Sequence, residues 1–128
     1  MEKQLVNPPT LFDPGPTRAY SHGVRVGSLL FLAGQMGIGP NRRLAGDFAA
    51  QVRQAFANLE AVLRAAGGSL ANLVTMTVFL TDMRYADEFV RLRGEILQRD
   101  FPASALIGVS QLAVPGGLVE IQAIAALD

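Results

Sequence analysis

Two segments of this sequence are apolar on both of their alternating sides, and no other feature restricts the fold as tightly. In Leu29 to Met36 neither alternate set is polar. In Leu118 to Leu127 one set is Val119, Ile121, Ala123, Ala125 and Leu127, and the other is Leu118, Glu120, Gln122, Ile124 and Ala126. A strand with one side in water normally alternates to polar residues there, so these strands call for cover on both faces. The chain offers two helices to provide it. Asp47 is a capping residue, and behind it Phe48, Val52, Ala55, Phe56, Leu59, Leu63 and Ala66 recur at helical spacing until Gly67-Gly68. A second helix is predicted from Tyr85 to Gln98, with Phe89, Leu92, Ile96 and Leu97 on its apolar side. Two helices cover only one face of a sheet, so the other face is expected to meet further copies of the chain. Composition agrees: 17% of residues are charged and 50% are hydrophobic, against about 25% charged in an average soluble domain.

The remaining elements complete an α+β pattern in one domain, residues 1–128. A short strand is expected near Leu5, then an irregular loop from Asn7 to Pro16 with four prolines. Tyr20 to Val26 and Leu29 to Met36 read as a hairpin turning at Gly27-Ser28. Leu73 to Thr81 alternates, with Val74, Met76, Val78 and Leu80 against Leu73, Thr75, Thr77 and Phe79. Ala105 to Ser110 and Leu118 to Leu127 form the last two strands around the turn Val114 to Gly117.

Several functions are disfavoured. Formal net charge is zero, which provides no footprint for a nucleic-acid backbone. The chain has no cysteine, hence no thiolate nucleophile and no zinc-thiolate site. The first residues lack a signal-peptide pattern and no apolar run reaches spanning length, so a cytoplasmic protein off the membrane is expected. His22 is the only histidine and has no clustered ligands around it in sequence, so no metal is expected and a structural role is favoured. It follows Tyr20 at the alternate strand position, which places both side chains on one face. Gly34, Gly37 and Gly39 lack dinucleotide-loop spacing and suit turns or close backbone approach. Arg84, Asp87, Glu88, Arg91, Arg93 and Glu95 read as the solvated side of the second helix. Glu120 is the residue out of place, a carboxylate in the most apolar strand. It is either a strand-end glutamate bonded to nearby backbone or a pocket acid or base with a pKa raised by desolvation.

Taken together, the ordered segments resemble one family over nearly the whole chain. They are Tyr20-Ser21-His22-Gly23-Val24, Ala33-Gly34-Gln35, Ala65-Ala66-Gly67, Thr77-Val78-Phe79-Leu80-Thr81-Asp82, Phe101-Pro102-Ala103 and Val119-Glu120-Ile121-Gln122-Ala123-Ile124-Ala125. The family is RidA/YjgF. The resemblance implies a chorismate-mutase-like α+β fold, with a single sheet carrying two helices on one face, and a homotrimer around a central barrel. It also implies a small-molecule pocket between subunits and hydrolysis of enamines and imines, such as 2-aminoacrylate, to ketoacids and ammonia without a cofactor. On this footing Glu120 holds the attacking water, while Tyr20, Gly34 and its neighbour Ala33 line the pocket. Three further pocket positions depart from the family pattern: Ser104 replaces an arginine that clamps the substrate carboxylate, Leu106 replaces a cysteine, and Val90 replaces an asparagine. Serine cannot stand in for a fork of guanidinium donors. The expected substrate is therefore a C=N compound other than a standard 2-imino acid; the alternative is a trimer that binds a metabolite without turning it over. Arg18, two residues before Tyr20, reads as a solvated arginine.

Overall fold

The computed structural model describes residues 1–128. Strand β1 (Lys3–Val6) is followed by a one-turn helix α1 (Gly15–Arg18), β2 (Gly23–Val26), β3 (Leu29–Met36) and the long helix α2 (Phe48–Ala65). Then come β4 (Leu73–Leu80), helix α3 (Ala86–Leu97), β5 (Ala103–Gly108) and β6 (Val119–Ala126). The six strands form one sheet in the order β1-β2-β3-β6-β4-β5. All neighbours are antiparallel except β4 and β5, whose parallel pairing requires the crossover that α3 provides.

Local chemistry sets the boundaries of α2. Asp47 is extended, and its carboxylate accepts the Ala50 N–H at 2.9 Å, satisfying one of the unpaired first-turn donors. At the other end Gly67 has φ +86°, Gly67 N–H bonds Arg64 C=O, and Gly68 N–H bonds Leu63 C=O. Those two bonds close the helix, and the first glycine adopts the left-handed conformation at little steric cost. The buried side of α2 carries Phe48, Val52, Ala55, Phe56, Leu59, Val62 and Leu63, and α3 adds Phe89 and Leu92. They pack on Leu30, Leu32, Met76, Val78, Leu80, Val119, Ile121, Ala123 and Ala125 of the sheet.

Neither α2 nor α3 lies on the opposite face. Cross-strand partners share a face, so the register places Leu5, Val24, Phe31, Ile124, Thr75 and Ala103 in one row across all six strands. Phe31 is 43% exposed, as is Leu29, and Ile107 is 41% exposed. The expectation that two helices cover one face only is met.

Four expectations need correction. Tyr20 to Ser21 is not strand, because β2 starts at Gly23 and the proline-rich loop instead contains α1. Pro16 sits in the first turn, where its fixed φ suits a helix, and Ala19 ends the turn at φ +59°. In β4, pairing shifts between Leu73 and Thr75, so Leu73 is buried with Met76, Val78 and Leu80 while Val74 is 50% exposed. A single extra residue reverses the alternation on one side of it. Strand β5 begins at Ala103, since Pro102 lies before the first ladder position. Arg84 lies in the 3₁₀ turn ahead of α3, where Asp82 accepts the Arg84 backbone N–H.

Candidate active site

A second irregularity builds the site. In β3 the pairing passes from Leu32 opposite Ala123 to Gln35 opposite Ile121, a step of three residues against two. The bulge at Ala33 and Gly34 opens the ladder beside Glu120, which pairs with Met36. Glu120 folds across Gly34 so closely that a Cβ there would lie 2.9 Å from the carboxyl carbon. Glycine is what leaves room for the carboxylate. Burial pushes the Glu120 carboxyl above the ordinary carboxylate range, and no hydrogen bond or neighbouring cation offsets it. None of the chain's four ion pairs includes it. Of the two readings left open for this residue, the backbone-bonded one lacks its bond.

The carboxylate lies in a cleft of about 740 Å³ lined also by Tyr20, Ala33, Gly34, Arg18 and Arg42. Tyr20 comes from the segment between α1 and β2 and is 40% exposed. Its phenol is pushed up first by burial and then by the negative charge of Glu120, against a smaller opposing effect of Arg18. A buried network fixes this segment. His22 is 1% exposed, its Nε2 lies 2.7 Å from the Phe12 carbonyl, and its Nδ1 lies 3.0 Å from Gln35 Nε2. The neutral tautomer that donates from Nε2 and accepts at Nδ1 satisfies both partners. Asn7 accepts the His22 backbone N–H at 2.9 Å. His22 is therefore structural, as expected, but it reaches the core while Tyr20 faces the cleft, with the rings edge to face at 6.0 Å. Strand alternation does not relate them.

Two polar residues in the apolar face of α2 shape the cleft and were not singled out from sequence. Asn58 is 3% exposed and donates to the carbonyls of Met36 and Ile38, holding the chain as it leaves β3. Gln51 accepts the Leu118 N–H at 2.9 Å and donates to Ala45 and Gly116, holding the approach to β6. The available signal was a polar residue at a core position of a strongly amphipathic helix, which requires a buried partner. Arg42 also went unremarked; it lies over the Phe12 ring at 5.5 Å.

Val90, Ser104 and Leu106 stand elsewhere. Ser104 pairs with Met76 and Leu106 with Val78, so both belong to the helix-bearing face of the edge strand. Glu120 pairs with Phe79 on the other face. One chain cannot bring these groups into one pocket. Val90 is 50% exposed on α3, one turn before Arg93. Arg93 is no part of a solvated face: its guanidinium lies over the Phe89 ring at 5.1 Å and donates from Nη1 to Ser104 Oγ at 2.7 Å. Its stem follows the apolar edge of the helix, which lets a long cation sit half-buried. Desolvation lowers its pKa.

No three His, Asp or Glu side chains cluster closely enough to hold a metal ion, and no helix is long and apolar enough to cross a membrane. Residues 11–127 match the family model described as Endoribonuclease L-PSP. A RutC family protein of Pyrococcus horikoshii is 37% identical over 114 residues, covering 88% of this chain and 90% of that protein. A 2-iminobutanoate/2-iminopropanoate deaminase of Dermatophagoides farinae is 29% identical over 98% of both chains. Among solved structures, RidA from an Antarctic Psychrobacter species superposes with a TM-score of 0.89 at 34% identity, over 97% of this chain and 99% of that one.

Proposed function

This chain belongs to the Endoribonuclease L-PSP family, also called RidA/YjgF, and from that premise we propose that it is a hydrolase of a small enamine or imine. The observation that carries the proposal is the half-buried, unpaired Glu120 carboxylate folded over Gly34 in the cleft. Hydrolysis of a C=N bond needs one group that first accepts and then returns a proton. As water attacks the imine carbon, Glu120 takes a proton from it and passes it to the imine nitrogen, giving a carbinolamine; as the carbon–nitrogen bond breaks, Glu120 takes the hydroxyl proton and delivers it to the departing nitrogen, so that a carbonyl product and ammonia remain. A carboxylate raised by burial suits both halves, because its proton affinity lies closer to neutral pH. Tyr20 and the backbone at Ala33 and Gly34 orient the substrate. The reaction consumes water and releases ammonia, so no cofactor is required.

The same proposal includes a homotrimer with its pockets between subunits. The bare apolar row across the sheet is a surface that a soluble chain normally covers, and here the cover is a second copy. Placing the Val90, Ser104 and Leu106 group of one copy against the Glu120 cleft of the next also unites residues that a single chain keeps on opposite faces. RNA cleavage, the activity in the family model's description, is poorly supported. Net charge is zero and the single histidine is buried with both ring nitrogens engaged. We place the protein in the cytoplasm. The test is ammonia release from imines generated in situ by an amino-acid oxidase. Glu120→Gln is expected to slow release by about 10²- to 10⁴-fold with the assembly intact. Undiminished release would reject the mechanism, and ligand binding without any release by the wild type would favour a binding protein.

A further inference from the structure

The cleft that holds Glu120 also holds two guanidinium groups, those of Arg18 and Arg42, and no second carboxylate. Neither arginine enters any of the chain's four ion pairs. Arg42 is placed by its backbone: its φ is +66°, in a turn closed by its own N–H on the Gly39 carbonyl at 2.9 Å and by Asn41 Oδ1, which accepts the Arg43 N–H at 3.0 Å. Glycine or asparagine adopts that conformation more easily. The arginine that stands there sets its guanidinium over the Phe12 ring at 5.5 Å. Phe12 is itself fixed, since its carbonyl meets His22 Nε2 at 2.7 Å. Arg18 arrives from a different segment, as the last residue of α1.

Both cations stand at one end of the cleft. The rings of Phe12 and Tyr20 each meet the His22 ring edge to face, so Arg42 over Phe12 lies at the Tyr20 end. Arg18 lowers the pKa of the Tyr20 phenol, whereas no cation acts on Glu120. An anionic group attached to the C=N carbon beside Glu120 would thus meet no cation of the cleft, and one carried several bonds away would meet two. The cleft has the length for it: about 740 Å³ falls within the range of about 300–1,000 Å³ that takes a drug-sized ligand.

We propose that Arg18 and Arg42 bind a carboxylate or phosphate at the far end of the substrate, so that the cleft takes an imine or enamine whose anionic group is remote from the C=N carbon. The inference rests on the hydrolase reading for which end of the substrate reacts, and on the cleft alone for where the anion sits. An anion between two like charges also relieves their repulsion, and a guanidinium fork suits either oxyanion. Because both arginines reach solvent, the preference they confer should weaken as salt is raised.

The experiment measures binding of unreactive ketones to the full chain by calorimetry. The probes are 4-oxopentanoate, 5-oxohexanoate and 6-oxoheptanoate, which carry the carboxylate at increasing distance from the carbonyl, the methyl ester of each, and 2-oxobutanoate, which carries it on the carbonyl carbon. The wild type is expected to bind the best of the remote acids at least tenfold more tightly than its ester, and more tightly than 2-oxobutanoate. In Arg18→Gln and in Arg42→Gln affinity for that acid should fall by about tenfold, with the ester and the thermal unfolding temperature unaffected. (4-Oxopentyl)phosphonate, matched to 5-oxohexanoate, tells the two oxyanions apart: the tighter of the pair names the group. Equal affinity for acid and ester, or none for either, overturns the proposal, as do tighter binding of 2-oxobutanoate and an acid preference that survives both substitutions. Ammonia release from 5-iminohexanoate, generated in situ from 5-aminohexanoate by an amine oxidase, is measured in parallel. Acid-selective binding without release retains the two arginines and rejects the hydrolase, whereas release with the same KM in the wild type and both variants does the reverse.

Discussion

Gly34→Ala isolates the geometry of the proposed base without touching its chemistry. The added methyl carbon would lie 2.9 Å from Glu120 Cδ and 3.2 Å from Cγ, where nonbonded carbons settle at about 3.5–4.0 Å. The overlap is therefore about 0.5–1 Å. The obstructing atoms belong to a side-chain end, so the carboxylate swings aside and the sheet remains in place. Displacement of a reacting group by about 1 Å costs on the order of 10²-fold in rate, equivalent to about 2.7 kcal/mol of transition-state stabilisation. Stability should change little. The residual strain is opposed by the gain of about 0.5–1 kcal/mol that alanine brings over glycine in a strand. Steady-state ammonia release and thermal unfolding measure the two effects. Gly94→Ala calibrates the second, since nothing lies within 4 Å of the new methyl in α3 and a gain of about 0.5–1 kcal/mol is expected. The decisive comparison is a double-mutant cycle: in a Glu120→Gln background, Gly34→Ala should have almost no further effect on rate. A full 10²-fold loss in that background, or none in the wild type, refutes the argument that the glycine serves the carboxylate.

Four other outcomes follow from the structure. In the proposed mechanism the ionised form of Glu120 is the base, and burial raises its pKa, so kcat/KM should fall as pH drops through a value above the ordinary carboxylate pKa of about 4.3. A raised folded-state pKa favours folding below the unfolded value and loses that benefit as pH rises through the folded one; Glu120→Gln should therefore stabilise at neutral pH and not in acid, as denaturant titrations at both pH values will show. Asn58→Ala leaves the Ile38 carbonyl without its side-chain donor and should cost about 1–3 kcal/mol by urea unfolding. Phe31→Lys puts a charge at the centre of the bare row and should sediment as a monomer without ammonia release; an unchanged sedimentation coefficient would remove that face from the interface.

Periodicity and capping signals made most of the fold legible. The apolar spacing behind Asp47, the double glycine after Ala66 and the two-sided hydrophobicity of Leu29 to Met36 each correspond to a feature of the structure. What escaped was local and governed by single residues. The extra residue at Val74 reverses the alternation of β4, and α1 lies within prolines that read equally well as loop. Of the cleft, Glu120 was legible because a carboxylate among apolar neighbours is conspicuous, whereas Tyr20 and Gly34 were assigned to it through the family resemblance. The setting of Arg93 was not legible, since a charge on an amphipathic helix reads as solvated until packing shows what its stem lies on. Gln51 and Asn58 were hidden in the opposite way, as polar residues whose partners are backbone groups of distant loops.

Parity along the edge strand has a consequence for how such a protein changes over time. Ser104 and Leu106 share no ladder pair with Glu120, and they lie on the other side of the sheet. Substitutions at Ser104 and Leu106 therefore fall outside the row of Glu120, Phe79 and Ile107 and leave the carboxylate's own face of the sheet unchanged within the chain that carries them. In the proposed assembly, selectivity and reactivity are then separately mutable: a lineage can exchange one recognition surface for another while the acid and its glycine persist, and the reverse drift is equally free.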